Sequence, residues 1–555
     1  MLTYTFKNNK MRSLKFSSKA CLFAALIFAQ ASVKAQVVNN GGTIKIESGG
    51  QLKCTGSLTN TTGAITNDGR IEVQGNFTNN GTYLSPGNKD SLVMSGTGNA
   101  TLNAGDAGFH FLTINKASAT DVVTLGSSLL VKTKLDYLSG LLTTDYANHP
   151  SHVLTAPATA VFNIAPGREV VGNVKRTGWA NGSSVLFNSS QMQIATNGGT
   201  APADITVTML PQDFGGDPSQ AEREVKRKFL LAQNGGNGFT ADVRFPYSTN
   251  ELNNNAEGNL APWYLNASEW NAVLSTSSRD VANKSVSATG IPAASFAQEW
   301  KLADPKYTFN VVAHLRGAWN GSSMNTALNA VLPLSQPYNM APFNYAGAEA
   351  VAAIPSANIV DWVLVEMRKP SSNLPAEATS GTIVGRKAGF LLNNGSVVDL
   401  DGVTPIQFDI SKQGNSFIVI RHRNHLSVMS NIVPSNTSGS YSNNFSLLTN
   451  VYKNPSSAST PLVTLPSSSL YGLWAGDVNK SGSINGTDVS AIKVDITNGH
   501  AGYRLTDVNL SNSINGTDVS LVKTSVSAGG DGSVSAKSVK PTVVKTNLPD
   551  PIVEQ

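Results

Sequence analysis

The sequence predicts a mainly β chain. Its expected parts are an N-terminal β-solenoid of the parallel β-helix kind, two β-sandwich-like modules and a small loop-helix module near the C-terminus. Three observations carry this. Short β-branched and aromatic runs alternate with Asn-Gly and Asp-Gly turns. Apolar-Thr-Asn triplets recur early in the chain, and a twelve-residue segment occurs twice, thirty residues apart, near its end. A chain of 555 residues is long enough for several domains, and at 14% charged residues it has few charges to spend.

Residues 1–35 read as a secretory signal peptide. Lys7, Lys10, Arg12, Lys15 and Lys19 precede the apolar run Cys21 to Phe28, and Val33 and Ala35 offer a cleavage site before Gln36. The run is too short to span a bilayer and nothing later is apolar for 18 residues, so no transmembrane segment is expected. The protein is expected to be secreted, extracellular or at the cell surface. Six of the 41 basic residues lie in this segment and no acidic residue does, which leaves 35 basic against 36 acidic groups. No basic footprint for nucleic acid survives. Only Cys54 remains beyond it, so no disulfide framework is available.

Residues 36–175 are repetitive. Leu58, Ile65 and Phe77 each precede Thr-Asn, and turns follow at Asp68-Gly69 and Asn80-Gly81. Short strands with an Asn in each turn suit a solenoid, in which stacked Asn side chains hydrogen-bond their equivalents above and below. An ordinary β-sandwich with many hairpins is the alternative. The runs "FTNNGTYL" and "FHFLTIN" resemble the filamentous β-helical segments of bacterial surface adhesins of the Bacteroidetes type.

Residues 176–305 continue as strands and predict a β-sandwich-like domain. Trp263, Trp270 and Trp300 read as core, with an aromatic sugar-binding platform as the alternative. Residues 306–470 form a β-rich module. Its elements Leu315 to Trp319, Pro337 to Tyr345, Asp361 to Arg368 and Arg421 to Met429 resemble a module found at the C-terminal end of large secreted, hemagglutinin-like Bacteroidetes proteins. The cluster Arg421-His422-Arg423-Asn424-His425 invites a metal or catalytic reading. On a strand, however, His422 and His425 fall on opposite faces, as do Asp361 and Glu366. A polar network of Arg-carboxylate pairs is the reading preferred.

Residues 471–528 hold the duplicated loops. The EF-hand loop takes oxygen ligands at positions 1, 3, 5, 7, 9 and 12, with a sharp turn at 6. In the first loop these are Asp477, Asn479, Ser481, Ser483, Asn485 and Asp488, with Gly482 at the turn. In the second they are Asp507, Asn509, Ser511, Ser513, Asn515 and Asp518, with Asn512 at the turn. Ser483 and Ser513 would ligate through their backbone carbonyls, and Ile484 and Ile514 would pack each loop onto the core. Val489, Ile492 and Ile496 after the first loop, and Val519, Val522 and Val526 after the second, share a helical spacing. No helix precedes either loop. These half-hands resemble type I dockerin repeats, in which Asp stands at position 12. The resemblance implies two Ca2+ sites and a cohesin-like partner that reads Gly486-Thr487 and Gly516-Thr517, identical in both repeats. Ser at position 5 leaves two carboxylates per site, which places affinity at roughly 10⁻⁴ to 10⁻³ M or somewhat tighter. Residues 529–555 show no packing pattern and read as a flexible tail.

No active-site constellation emerges, and acidic and basic residues of the solenoid stretch are scattered singly. The expected function is a non-catalytic secreted surface or adhesion protein with a calcium-binding, dockerin-like module. The alternative is a component of an extracellular polysaccharide-degrading system, attached through that module or itself a carbohydrate-active enzyme.

Overall fold

The computed structural model describes residues 35–212, 223–434, 439–455, 459–528 and 544–549. They form two compact units. One holds the residues up to 212 together with 226–251 and 276–301, and the other holds 223–225, 252–275 and everything described from 302 onward. The expected signal peptide lies outside the described residues but for Ala35. No described helix is long and apolar enough to cross a membrane.

The first unit opens as a mainly parallel β-solenoid of about seven turns. One face stacks Val37–Asn39, Leu58–Asn60, Phe77–Asn79, Ala100–Asn103, Val122–Leu125 and Leu141–Thr143 in parallel register. Another face stacks Gln51–Cys54, Arg70–Val73, Ser91–Met94, Gly108–Asn115 and Leu129–Ser139. Each turn points like residues at like residues. Ile71, Leu92, Leu112 and Leu135 form one buried column, and Val73, Met94, Ile114 and Tyr137 form another. Such columns bury an apolar strip that no single turn could bury alone.

The Thr-Asn triplets do what their pattern implies. Leu58, Ile65 and Phe77 are fully buried. Two residues on from Leu58 and Phe77, Asn60 donates from Nδ2 to Asn79 Oδ1 at 2.7 Å and accepts from Asn39 Nδ2 of the preceding turn at 2.9 Å, whereas Asn67, after Ile65, donates to Tyr83 OH at 3.0 Å instead of to an Asn. The same amides reach turn carbonyls, Asn39 that of Gly42 and Asn60 that of Gly63, both at 3.0 Å. Turns are stacked so closely that a Cβ on Gly69 would lie 2.3 Å from Gly50 O, and one on Gly81 would lie 2.2 Å from Gly63 O. Glycine is required there by space. Cys54 is buried in this solenoid, and burial pushes its thiol up to about 11.

The strand Val170–Thr177 ends the parallel stack and continues as an antiparallel sheet with Asp204–Pro211 and Arg227–Asn234. A second sheet runs in the order Ser184–Leu186, Gln193–Asn197, Thr240–Pro246, Ser285–Pro292, Ser277–Asp280. Phe245 of the second sheet meets Phe229 of the first edge-on at 5.1 Å and stacks on Trp300 at 5.3 Å. Arg227 is buried here between two carboxylates, Glu169 at 2.6 Å and Glu251 at 2.8 Å.

The second unit takes the hairpin Ala261–Asn266 and Glu269–Ala272. Trp263 is fully buried and donates Nε1 to Ala303 O at 3.2 Å, while Trp270 is half-buried. The module that follows contains two sheets. Lys306–Val312 lies between Ile406–Asp409 (antiparallel) and Ser440–Asn444 (parallel). Ile359–Arg368 lies between Ile383–Leu392 and Phe417–Arg421, with Val397–Val398 and Val428–Met429 outside.

All ten residues of Ile359–Arg368 are buried, so the charges it carries must be satisfied inside. Glu366 accepts from Arg421 Nε at 2.9 Å and Arg368 Nη2 at 3.1 Å. Asp361 accepts from Arg423 Nε at 2.8 Å, Tyr503 OH at 2.7 Å and His422 Nε2 at 3.1 Å. The Arg-carboxylate network expected from the sequence is thus present.

The alternation expected for the histidines is not. The strand stops at Arg421, the chain turns, and the rings of His422 and His425 come together with centroids 4.8 Å apart. Their protons follow from the bonds. His425 Nε2 accepts from Gly317 N at 3.1 Å, so His425 carries its proton on Nδ1 and directs it at Asn424 Oδ1 (2.9 Å) and His422 Nδ1 (3.1 Å). His422 is then protonated on Nε2, facing Asp361. Burial lowers the pKa of both rings, that of His425 well below the ordinary value. Both are neutral parts of a sealed polar core.

The tail also differs from expectation. Residues 544–549 are packed: Val544–Lys545 pairs antiparallel with Ser483–Ile484, and Val544 and Leu548 are fully buried. Thr546 Oγ1 donates to Ser427 O at 3.0 Å. Two apolar residues four apart make no periodic signal, so nothing in the sequence marked this segment.

The amide ladder makes a direct prediction. Asn60→Ala leaves Asn39 Nδ2, Asn79 Oδ1 and Gly63 O each short of a buried partner, which should destabilise the solenoid by about 2 kcal/mol or more. Urea unfolding followed by far-ultraviolet circular dichroism measures this, and a change below about 0.5 kcal/mol would show the ladder to be incidental.

Candidate metal centre

Both duplicated segments fold as the expected loops, each followed by a helix. In the first, Gly482 N donates to Asp477 Oδ2 at 3.1 Å, tying position 6 back to position 1. Asp488, at position 12, accepts from Val478 N (3.0 Å) and Asn479 N (3.3 Å) on one oxygen and from Asn485 N (2.9 Å) on the other. Ser481 N donates to Asn479 Oδ1 at 3.0 Å, and Ser481 Oγ to Ser483 O at 3.1 Å. Asn485 caps the helix Gly486–Thr497, accepting from Thr487 N at 2.8 Å in a capping box with Asp488.

The second loop repeats these bonds. Asn512 N donates to Asp507 Oδ2 at 2.8 Å, and Asp518 accepts from Val508 N (2.9 Å), Asn509 N (3.2 Å) and Asn515 N (2.9 Å). Ser511 N is shared between Asp507 Oδ1 and Asn509 Oδ1, each at 3.0 Å, and Ser511 Oγ reaches Ser513 O at 3.1 Å. Asn515 accepts from Thr517 N at 2.8 Å at the head of the helix Gly516–Ala528. Each loop thus brings its six sequence-assigned residues into one closed turn. Gly482 (φ 75°) and Asn512 (φ 67°) hold the left-handed turn.

Two features were missed from the sequence. Position 4 is also left-handed, at Lys480 (φ 61°) and Leu510 (φ 56°), residue types that give no hint of it. Position 11 serves the loop itself. Thr487 Oγ1 accepts from Asn479 Nδ2 at 2.9 Å and donates to Asn485 Oδ1 at 2.9 Å, and Thr517 does the same for Asn509 (2.8 Å) and Asn515 (2.7 Å). That hydroxyl turns the position-3 amide so that its oxygen faces the loop.

The electrostatics fit a hard cation. Asp488, Asp507 and Asp518 are fully buried, and no Lys or Arg ion pair engages any of them among the described residues. Burial raises the pKa of Asp488. Burial also pushes Asp507 up to about 6 against the backbone bonds of Ser511 and Asn512 and the charge of Arg423, and the charge of Asp518 adds to the rise. Paired buried carboxylates in an all-oxygen donor set are what an oxygen-preferring divalent ion offsets.

The loops sit on a shared core of Ile484, Ile492, Val508, Ile514, Val522, Val526 and Trp474. The expected helical stripes hold for Ile492, Val522 and Val526, which are buried, and for the half-buried Val489 and Val519. Ile496 departs from its stripe at 36% exposed, since the first helix runs past the core at its C-terminal end. Val494 beside it is 58% exposed.

The two repeats have different surroundings. Ser483 and Ile484 of the first loop pair with Lys545 and Val544. The second loop lies against the preceding module: Asn424 Nδ2 donates to Leu505 O and Asp507 O, both at 2.9 Å, and Asn325 Nδ2 to Asn509 O at 3.0 Å. Arg423 donates to Arg504 O and lies 4.2 Å over the Tyr503 ring.

Residues 475–527, a small part of the chain, match the dockerin type I domain family. The match spans both loops and both helices. No curated protein and no solved structure matches the chain.

Asp361 links the polar core to this region, and its protonation sets a pH dependence. Burial raises its pKa, but the Arg423 charge and the bonds from His422 and Arg423 outweigh burial and bring it down to about 2. A depressed carboxyl stabilises the fold above its unfolded value near 3.8 and loses that contribution as pH falls towards 2. Asp361→Asn, which strands the buried Arg423 charge, should cost about 3 kcal/mol or more at neutral pH. That gap should narrow between about pH 4 and pH 2 in denaturant titrations run across pH; a gap independent of pH would refute the assignment.

Proposed function

We propose that the two loops are calcium sites and that the metal serves the fold of the C-terminal module. The single observation carrying this is the pair of closed oxygen-donor turns, each gathering two buried carboxylates with amide, hydroxyl and carbonyl oxygens around one loop. Asp477, Asn479, Ser481, Asp488 and the Ser483 carbonyl would hold the first ion, with Asn485 acting through water. Asp507, Asn509, Ser511, Asp518, the Ser513 carbonyl and Asn515 would hold the second. Calcium would supply the positive charge that lets buried carboxylates stay ionised, and the chain's part is to orient their oxygens through Thr487 and Thr517. With two carboxylates per loop, the affinity belongs with extracellular modules, roughly 10⁻⁴ to 10⁻³ M.

The dockerin match supports a docking role, with a cohesin-like protein as partner. Gly486-Thr487 and Gly516-Thr517 are exposed in both repeats and available to such a partner. Around this module we read a secreted, non-catalytic surface protein of adhesion type, built from a solenoid and β-sandwich modules. The carboxylates of the second unit's core are sealed from solvent and committed to Arg, Tyr and His partners, an arrangement that suits structure rather than catalysis. Attachment to an extracellular polysaccharide-degrading assembly is the second reading, favoured by the dockerin match alone.

Calorimetric titration of the chain from Gln36 onward should show two calcium ions bound, and chelator should lower the melting temperature. Asp488→Ala and Asp518→Ala should each remove one ion. No heat and no change in melting would refute the calcium reading. A pull-down with a cohesin panel, in calcium and in chelator, tests docking; capture equal in both would exclude a dockerin mode.

A further inference from the structure

The repeats are near-identical in sequence but meet their neighbour differently: Val478 and Ile484 of the first share an apolar cluster with Leu426, whereas the second is also gripped at its backbone by the neighbour's side chains. Position 4 of the first loop is Lys480, half-buried with its Nζ 5.8 Å above the Phe343 ring. Position 4 of the second is Leu510, fully buried within the core cluster that holds Leu328, Phe343 and Trp362 of the preceding module. The left-handed backbone that the loop imposes there aims Leu510 outward from the turn, into that core.

The backbone on either side of Leu510 is gripped as well. Carbonyls of Leu505, Asp507 and Asn509 accept from Asn424 and Asn325. Gly317 approaches so closely that a Cβ on it would lie 1.9 Å from Val508 O. The donors are themselves fixed: Asn424 Oδ1 by His425, and His425 Nε2 by Gly317 N. Backbone carbonyls at 505, 507, 508 and 509 are therefore held by the preceding module in one conformation, the one in which Asp507 and Asp518 accept from the loop's own backbone.

We propose that the second loop is a calcium-dependent joint, through which metal binding at Asp507 and Asp518 holds the loop-helix module onto residues 315–325 and 421–427 of the module before it. This rests on the calcium reading given above. The first loop touches the same neighbour by apolar packing on Leu426 and through Thr546, which bonds both Gly482 O and Ser427 O. These contacts do not read the loop's carboxylate-bearing backbone as Asn424 reads Asp507 O, and the first loop binds its ion without passing the effect on. Specific residues divide the labour: the carboxylates set the loop's shape, Leu510 anchors it, and Asn325, Asn424 and Gly317 recognise it. The partner of this surface is the chain's own second repeat.

Hydrogen exchange with mass spectrometry on the chain from Gln36 onward, with calcium and with chelator, tests the joint. Calcium should slow exchange in peptides covering 315–325 and 421–427 by about tenfold or more in the parent chain and in Asp488→Ala, and leave it unchanged in Asp518→Ala. Leu510→Asn, chosen because Asn tolerates the left-handed backbone, should still bind two ions in calorimetry while losing the calcium-dependent protection of both peptides. If calorimetry shows two ions bound and neither peptide responds, or if Asp488→Ala and Asp518→Ala behave alike, the joint is wrong and the calcium sites stand. If the parent chain binds no calcium, both readings fall.

Discussion

A carboxylate with no water around it governs the second unit. Asp361 is fully buried, and it is held as an anion by its neighbour's Trp362 N at 2.8 Å, by Tyr503, by Arg423 and by His422. These donors come from three stretches of chain far apart in sequence. None can satisfy the charge alone, and a partly satisfied buried ion is worse than none. The central strand, the turn after Arg421 and the segment entering the second loop must therefore assemble together. Buried ion pairs are weak evidence for stability in themselves, but this one admits a single arrangement of three segments.

The solenoid meets the same problem of buried polarity without charge. An amide offers both donor and acceptor, so Asn39, Asn60 and Asn79 each satisfy the next while holding a turn carbonyl. The device depends on equal spacing. Past Asn79 the turns lengthen, and its Nδ2 goes to the carbonyls of Gly81 and Ala104 instead. Apolar columns such as Ile71, Leu92, Leu112 and Leu135 continue there, with single turn-to-turn bonds such as Thr101 N to Asn76 Oδ1 and Val122 N to Asn99 Oδ1. The amide ladder thus serves the first three turns of the solenoid, where the spacing lets one Asn reach the next.

What was legible in the sequence follows from these differences. Period and turn chemistry are local, so Leu58, Phe77 and the Asn ladder could be read directly, as could the duplicated loops and the helix residues Ile492 and Val522. The Arg-carboxylate network was foreseen as a type, because buried charges demand partners whatever the fold. The pairing of His422 with His425 was not, because it depends on where a strand ends, and Arg421 carries no stop signal. The packed segment at Val544 was invisible because strand addition to Ser483–Ile484 needs only two residues and a vacant edge. Left-handed backbone at Lys480 and Leu510 was equally hidden, since neither residue type favours it. In the second loop, burial of a leucine, about 2 kcal/mol, outweighs the roughly 1 kcal/mol that such a backbone costs.

Leu510 and Lys480 occupy the same place in two copies of one unit, and this sets how freely each copy can drift. At Lys480 the loop meets solvent and the face of one ring, so many side chains with tolerance for the backbone would serve. At Leu510 a polar or larger side chain would have to displace a packed core and loosen the clasp of Asn424 and Asn325. Two copies of one loop thus differ in how much of their surroundings depends on them. Substitution at position 4 is therefore tolerated more widely in the first repeat than in the second.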